Sequence, residues 1–576
     1  MFINYEEVKN CSWQAFERMV SRLLTITGFE DARIVGQSGD HGADVIAHKN
    51  GSRWLFQVKH WTNAVGVTVI DETIKAAAFY KAKVPVIVAA NGFDAKAKEY
   101  QQTLMRNGIP IQLWDVPFLI SYLSRSNNEI PNSHDPRDYQ ERAIQGIVNA
   151  FLTQRKKALV VLATGLGKTF VAAESLHRIN KIHPVRVLVL AHTNPLVYQL
   201  ERSFWKFMTK DQRSIVWNGM ETPYAWQLAQ YEFVFACVDS VYGYISNGER
   251  SLPSFDIVLV DECHHAGSNT YQEVLSELGA GTPSGPLLIG LTATPWRPDE
   301  KQLEDIFGDP VISIDMVEGL RKGFLSNVDY RMYTDNINWD ALKNLEGKSF
   351  TPKQINRTLF IDEWDDSVVY ELRKAWNEQV TPRAIVFCGT IDHAKIMCQK
   401  LNALGFCNAA AIYSGAGSGG MSQYEKNRLL SDFSEGRINV VCAVDIFNEG
   451  IDVPDVNILV FQRVTHSRRI FIQQLGRGLR IAEHKDKVIV LDFVSDIRRF
   501  AAGIDLKDGI ENDPSDTRKP TRIMLHNTVT FKKVTGDDPE TEQFLRVWLD
   551  DVAAIEESGE NSSVLKFPPV FKHSKI

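Results

Sequence analysis

The sequence predicts an α/β protein: a small N-terminal α/β sandwich, then two doubly wound parallel-sheet lobes, then a C-terminal extension. Three observations carry this. Within 137–328 and again within 381–499, short β-branched apolar runs alternate with stretches of helical periodicity, the grammar of strand–helix crossovers. A polar segment with two prolines, SRSNNEIPNSHDP, separates the first such lobe from an earlier unit and marks a linker at 126–136. With 576 residues the chain has room for three or four domains of the usual ~150-residue scale.

Composition sets bounds on function without choosing one. Hydrophobic residues make up 44% and charged residues 23%, ordinary for a globular protein, and no apolar run nears the ~18 residues needed to span a bilayer. The start, MFINYEEVKN, has no signal-peptide core, so the expectation is a cytoplasmic protein without a membrane segment. Seven scattered cysteines (11, 237, 263, 388, 398, 407 and 442) contain no CxxC pair and read as reduced thiols. Net charge is −7, yet residues 1–125 carry 14 Lys and Arg against 12 Asp and Glu, while residues 500–576 carry 10 against 14. Any nucleic acid would therefore be held by local grooves and backbone contacts.

In the first unit, residues 1–125, Ser12 precedes a helical pattern (Phe16, Val20, Leu23, Leu24) that Gly28 closes. Three strand-like pieces follow, ARIVG, ADVIAHK and WLFQVKHW, then an amphipathic helix over 70–81, the buried strand VPVIVAA, a helix over 95–106 and the strand IPIQLW. Asp44 starts one strand, and Gln57 and Lys59 lie two apart on the next. Period 2 puts the latter pair on one face, where a carboxylate, an amide oxygen and an ammonium can converge. Such a group could hold Mg²⁺ through Asp44 and Gln57 and use Lys59 to stabilise charge on a phosphodiester. The same spacing also suits a lysine snorkelling from a sheet edge and an aspartate capping a turn.

FERMVSRLL, GQSGDHGADVIAH and FQVKHW together resemble the Mrr-type restriction endonuclease domain of the PD-(D/E)xK superfamily, over about residues 12–120. The variant is the one with glutamine in place of the last acidic residue. The resemblance implies Asp44, Gln57 and Lys59 as the catalytic core, with Glu17 as a helper.

The next stretch organises the rest of the chain. ALVVLATGLGKT, residues 158–169, is a buried strand running into a glycine-punctuated loop and then into Lys-Thr before a helical pattern. Gly165 and Gly167 lack Cβ atoms, so the backbone can curl its N–H groups onto an anion at a helix N-terminus. Lys168 would reach the β- and γ-phosphates of a nucleotide and Thr169 would hold Mg²⁺. Leu162 stands where the strict phosphate-loop pattern has glycine. FDIVLVDECHHAG then delivers Asp261 and Glu262 to a strand end, the first to take Mg²⁺ and the second to orient and deprotonate water.

The shortened ATGxGKT loop resembles those of superfamily 2 helicases and translocases, and DECH resembles their motif II. That resemblance implies RecA-like lobes, with Gln140 on the adenine, Thr164, Gly165, Gly167, Lys168, Thr169, Asp261 and His264 around ATP, and Thr292 and Thr294 of LLIGLTATP coupling ATP to nucleic acid. A helical connector is expected over 329–380. In the second lobe FNEGIDVP and FIQQLGRGLR resemble motifs V and VI, which implies Asp452 on the ribose and Gln473, Arg477 and Arg480 facing the triphosphate. Leu479 replaces a glycine of the commoner QxxGRxGR pattern, and such endings resemble those of restriction-subunit translocases.

The expectation is an ATP- and Mg²⁺-dependent DNA motor fused to a metal-dependent DNA endonuclease, with duplex DNA as partner and a role in restriction or antiviral defence. Two alternatives remain at this point: a repair or remodelling ATPase whose first domain only binds DNA, and an RNA helicase with an acquired domain. Residues 500–576 carry no legible chemistry and are expected to pack on the second lobe or to serve a protein partner or oligomer.

Overall fold

The computed structural model describes residues 1–35, 42–126, 135–246, 252–293, 303–314, 318–319, 322–334, 362–413, 421, 423–444, 455–462, 481, 485 and 487–494. Most of the linker and all of the C-terminal extension lie outside them.

The first unit is a five-stranded sheet in the order β1 (Glu30–Ile34), β2 (Val45–Lys49), β3 (Ser52–Lys59), β4 (Val84–Ala89), β5 (Gln112–Asp115). β1 to β3 are antiparallel and β3 to β5 parallel. Asn50 and Gly51, at φ 51° and 69°, form the two-residue turn between β2 and β3, and its positive φ values match strand twist. Their pairing sets Val45 opposite Phe56, which brings Asp44 to the level of Gln57. Strand alternation then sorts the side chains. Val45, Ala47, Phe56 and Val58 meet Phe16, Val20, Leu23 and Leu24 of the helix Trp13–Ile26, which Ser12 caps by accepting from the Ala15 amide at 3.0 Å. The opposite face meets the helix Val67–Phe79, with Ile46 and Leu55 packed near Ala76 and Ile87 and Ala89 near Val69 and Ile70.

The first lobe is a seven-stranded sheet with every neighbouring pair parallel, in the order β12 (Pro310–Ile314), β6 (Lys157–Leu162), β11 (Leu287–Thr292), β10 (Ile257–Val260), β7 (Val187–Ala191), β9 (Phe233–Cys237), β8 (Ser214–Trp217). Its central strands are buried on both faces, which explains their unbroken apolar runs. Gly290 in β11 makes room for a ring: a Cβ there would stand 2.6 Å from Phe307.

The second lobe is a six-stranded parallel sheet, β13 (Asn327–Thr334), β18 (Lys487–Val494), β17 (Ile458–Phe461), β14 (Ala384–Phe387), β16 (Val440–Val444), β15 (Ala409–Tyr413). This corrects the expected connector over 329–380: β13 is already a strand of the second sheet, and the helix Asp362–Asn377 lies against that sheet's elements. Charge concealed the strand. Asp329 and Arg331 interrupt its apolar pattern, and ion pairs from Arg331 to Asp329 (2.7 Å) and Glu378 (2.6 Å), and from Lys487 to Asp329 (3.0 Å), satisfy them.

The first unit docks on both lobes. Toward the first lobe, buried Arg18 pairs with Glu201 at 2.7 Å and with Glu221, and Glu221 also accepts from Ser12 (3.0 Å) and Tyr198 (3.1 Å). Those two carboxylates raise the pKa of Arg18 against the opposing effect of burial. Arg22 donates to the carbonyls of Thr209 (2.8 Å) and Gln212 (2.9 Å), and Arg213 pairs with Glu7 at 3.0 Å. Toward the second lobe, Arg53 of β3 pairs with Glu435 and lies 3.9 Å from Asp432.

Candidate functional site

In the first lobe the loop after β6 and the ends of β10 and β11 meet at the carboxyl edge of the sheet, where ligands bind in open α/β folds. Gly165 and Gly167 sit at φ 95° and 86°, conformations that L side chains resist, and Gly167 is the N-cap of the helix Lys168–Ile182. A Cβ on Gly167 would come 2.7 Å from the amide nitrogen of Gln140. That amide donates to the Leu166 carbonyl at 2.9 Å while its oxygen accepts from the Arg137 amide at 3.0 Å, so Gln140 braces the loop. Tyr139 adds a hydroxyl bond to the same Leu166 carbonyl at 3.1 Å. Thr164 lies within the loop, and Thr169 follows Lys168 in the helix's first turn.

Lys168 Nζ stands 3.2 Å from Glu262 Oε1. Glu262 adopts a left-handed backbone conformation at φ 46° just beyond β10, which turns its carboxylate toward the loop. Its other oxygen lies 3.3 Å from His264 Nδ1, and that nitrogen lies 3.1 Å from the Thr292 hydroxyl at the end of β11. A polar chain thus runs Lys168, Glu262, His264, Thr292. Asp261 is buried, and its pKa is pushed up to about 6, chiefly by loss of solvent and next by the Glu262 charge, against the opposing pull of Lys168. Its Oδ1 has no hydrogen-bond partner among the described residues. An acceptor-only oxygen buried in this way suits a divalent cation. Thr294, Asp452, Gln473, Arg477 and Arg480 lie outside the described residues.

The second cluster is in the first unit. Asp44 Oδ2 accepts from the Val58 amide at 2.5 Å, which ties the carboxylate across to β3. Gln57 is completely buried. Its amide is satisfied when the nitrogen donates to the Val69 carbonyl (3.3 Å) and to Thr73 Oγ1 and the oxygen accepts from Lys59 Nζ at 3.0 Å. The reverse orientation would set nitrogen against ammonium and oxygen against carbonyl. Gly42, at φ 87°, completes the pocket, because a Cβ there would stand 2.4 Å from an atom of this amide. The structure therefore brings Asp44, Gln57 and Lys59 to one face, and places Glu17, also buried, on the helix covering the other face.

Among the described residues no three His, Cys, Asp or Glu side chains group as a metal site. One carboxylate and one amide oxygen are nonetheless the kind of sparse set that a hard divalent cation accepts when substrate phosphate supplies further oxygens. Sequence reasoning missed Thr73, Val69 and Gly42. Only the glycine left a signal, a Cβ-free position two residues before the carboxylate.

Three family models match successive segments: Restriction endonuclease over residues 8–123, Type III restriction enzyme, res subunit over 133–297, and Helicase conserved C-terminal domain over 366–482. In order along the chain, its segments are thus similar to a restriction endonuclease domain, a restriction-enzyme res subunit and a helicase C-terminal domain. The chain is homologous to type I restriction enzyme endonuclease subunits: the EcoAI endonuclease subunit of Escherichia coli is 25% identical over 535 residues, 83% of this chain and 64% of that protein. The putative mitochondrial ATP-dependent helicase irc3 of Schizosaccharomyces pombe is 27% identical over 379 residues, 64% of this chain and 59% of that one. The chain thus spans less than two thirds of these relatives' length. Among solved structures, the ATP-dependent Type ISP restriction-modification enzyme LlaBIII bound to DNA shares the fold, with a TM-score of 0.52, 17% identity and coverage of 96% of this chain and 42% of that one.

Proposed function

We propose that this protein is an ATP-driven DNA translocase or helicase whose first domain cuts DNA, acting in restriction of foreign duplex DNA in the cytoplasm. The observation that carries the reading is the convergence of Lys168, Asp261 and Glu262 at the carboxyl edge of a parallel sheet, in the same chain as the Asp44, Gln57 and Lys59 cluster.

The loop amides and Lys168 bind the triphosphate. Once phosphate draws Lys168 away, Glu262 is released from its ion pair and can orient and deprotonate the attacking water. His264 Nδ1 lies 3.3 Å from the second oxygen of Glu262 and 3.1 Å from the Thr292 hydroxyl, so a shift of that carboxylate is felt at the end of β11. In the first domain Lys59 is placed to stabilise charge on a cleaved phosphodiester, while Asp44 and Gln57 present oxygens to a cation. A divalent metal bound at either cluster would polarise a phosphoryl oxygen and lower the pKa of a water.

The test is a pair of variants assayed on linear and circular duplex DNA with and without ATP and Mg²⁺. Lys168→Ala should abolish ATP hydrolysis. Asp44→Ala should abolish cleavage and leave DNA-stimulated ATPase near wild type. If the wild-type chain cuts no DNA with Mg²⁺ or Mn²⁺, and Asp44→Ala changes only affinity, the first domain is a DNA-binding module.

A further inference from the structure

Past the carboxyl ends of β3 and β4 the chain builds a short, stiff shelf. The two strands are parallel, so both segments leave the sheet at the edge where ligands bind in such folds. The Ala90 amide donates to the Lys59 carbonyl at 3.0 Å, the Val65 amide to the Gly92 carbonyl at 2.9 Å and the Asp94 amide to the Val65 carbonyl at 3.1 Å. Between these bonds the Asn91 side chain donates to the Trp61 carbonyl. His60 anchors the same stretch from beneath, with Nε2 2.6 Å from the Val8 carbonyl and its ring 5.6 Å from that of Phe16.

The shelf treats its large apolar side chains unequally. Val65 and Phe93, which face each other across an isolated bridge, are 1% and 9% exposed, whereas Trp61 is 47% exposed. A fixed backbone with an open indole is a stacking surface that loses little entropy when it is used. Its neighbour sets what can use it. Lys59 Nζ lies 5.5 Å from the indole centroid, less than about two base rises of ~3.4 Å along a stacked strand. A phosphodiester held by Lys59 therefore brings its own base or the next one to the ring. No residue from Gln57 to Gly66 is acidic, so this stretch does not repel a phosphate backbone.

We propose that Trp61 stacks on the base beside the phosphodiester held by Lys59, which makes an unpaired nucleotide, in a single strand or an opened stretch of duplex, the substrate of the nuclease domain. Inside intact duplex each base is covered on both faces by its neighbours, so the indole finds a free face only where a base has left the stack. This rests on the reading of Asp44, Gln57 and Lys59 as a nuclease site.

The experiment measures kcat and KM of the full chain, without ATP, on a single strand, on duplex with an internal unpaired bubble and on fully paired duplex. The wild type should cut the first two in preference to the third. Trp61→Leu, which can still cover the Lys59 stem but offers no ring, should raise KM on the single strand by about 5-fold or more, the loss expected for one stacked base, and Trp61→Phe should recover part of it. An effect on kcat alone, equal on all three substrates, would mean that Trp61 only positions Lys59, and would overturn the proposal. So would a wild type that cuts paired duplex as well as the bubble. A binding arm without divalent metal uses a single strand carrying 2-aminopurine, whose fluorescence the wild type should quench more than Trp61→Leu does. If no DNA is cut, the nuclease reading fails, and equal quenching by the two proteins would separately show that the indole meets no base.

Discussion

Asp261 is held in a state that folding alone would not favour. Its carboxyl, ordinarily near 3.8, is raised to about 6 by burial and by Glu262, so the ionised form costs stability. A raised acid is tolerated below its unfolded pKa and becomes a growing liability as pH climbs from about 4 to about 6. Asp261→Asn should therefore raise the melting temperature of the nucleotide-free protein at pH 7, with the gain vanishing near pH 4, while ATP hydrolysis is lost. A variant no more stable than wild type at pH 7 would contradict the burial argument. Metal-dependent nucleotide binding by the wild type should correspondingly weaken as pH falls through about 6. Gly42 makes a similar point in the other domain. Gly42→Ala adds a Cβ where the Gln57 amide lies and strains a backbone at φ 87°, so DNA cleavage should fall steeply while circular dichroism and ATPase stay near wild type.

Elements, more than side chains, decided what the sequence could reveal. The helix expected over 70–81 lies at Val67–Phe79, and the one expected at 95–106 lies at Ala95–Arg106, because amphipathic periodicity and caps are local signals. β13 was hidden because Asp329 and Arg331 depend on Glu378 and Lys487, residues far along the chain that make a charged strand tolerable. Within the sites, Lys168, Asp261 and Glu262 could be picked out because Lys168 opens a helix after a glycine loop at a fixed spacing from β6 and the two acids directly follow β10. Thr73 was not, because its role depends on a helix crossing Gln57 and no spacing encodes that. The helix Trp13–Ile26 yields a prediction at this scale. Arg18→Ala leaves Glu201 and Glu221 buried without their cation, and such losses cost about 3–5 kcal/mol. Denaturation of the full chain should start earlier, and hydrogen exchange should rise along that helix and around Glu221; an unchanged profile would mean the interface is wetter than described.

At the level of the whole chain, two chemical centres share one body yet sit on separate sheets. Lys168→Ala, assayed on long duplex DNA, distinguishes a motor that feeds the nuclease from two centres working side by side. Coupling predicts that cleavage falls with the loss of ATP hydrolysis, and cleavage at the wild-type rate without ATP would show independence. Gln57→Glu is the companion measurement. A carboxylate in that pocket offers a better cation ligand but sets an oxygen against the Val69 carbonyl where the amide nitrogen donates, so cleavage should need less Mg²⁺ while the melting temperature falls.

The buried triad of Arg18, Glu201 and Glu221 also bears on how such proteins can be recombined. A cutting domain attached by a polar tether alone could be exchanged among motors freely, like a tool on a handle. This one carries a cation that has to find two carboxylates waiting on the recipient. A chimera that joins residues 1–126 to a foreign motor without acidic groups at the positions of Glu201 and Glu221 would shut an unmatched charge into its seam. Ancestral or laboratory swaps of this domain should succeed only where donor and recipient bring the matching halves of that lock together.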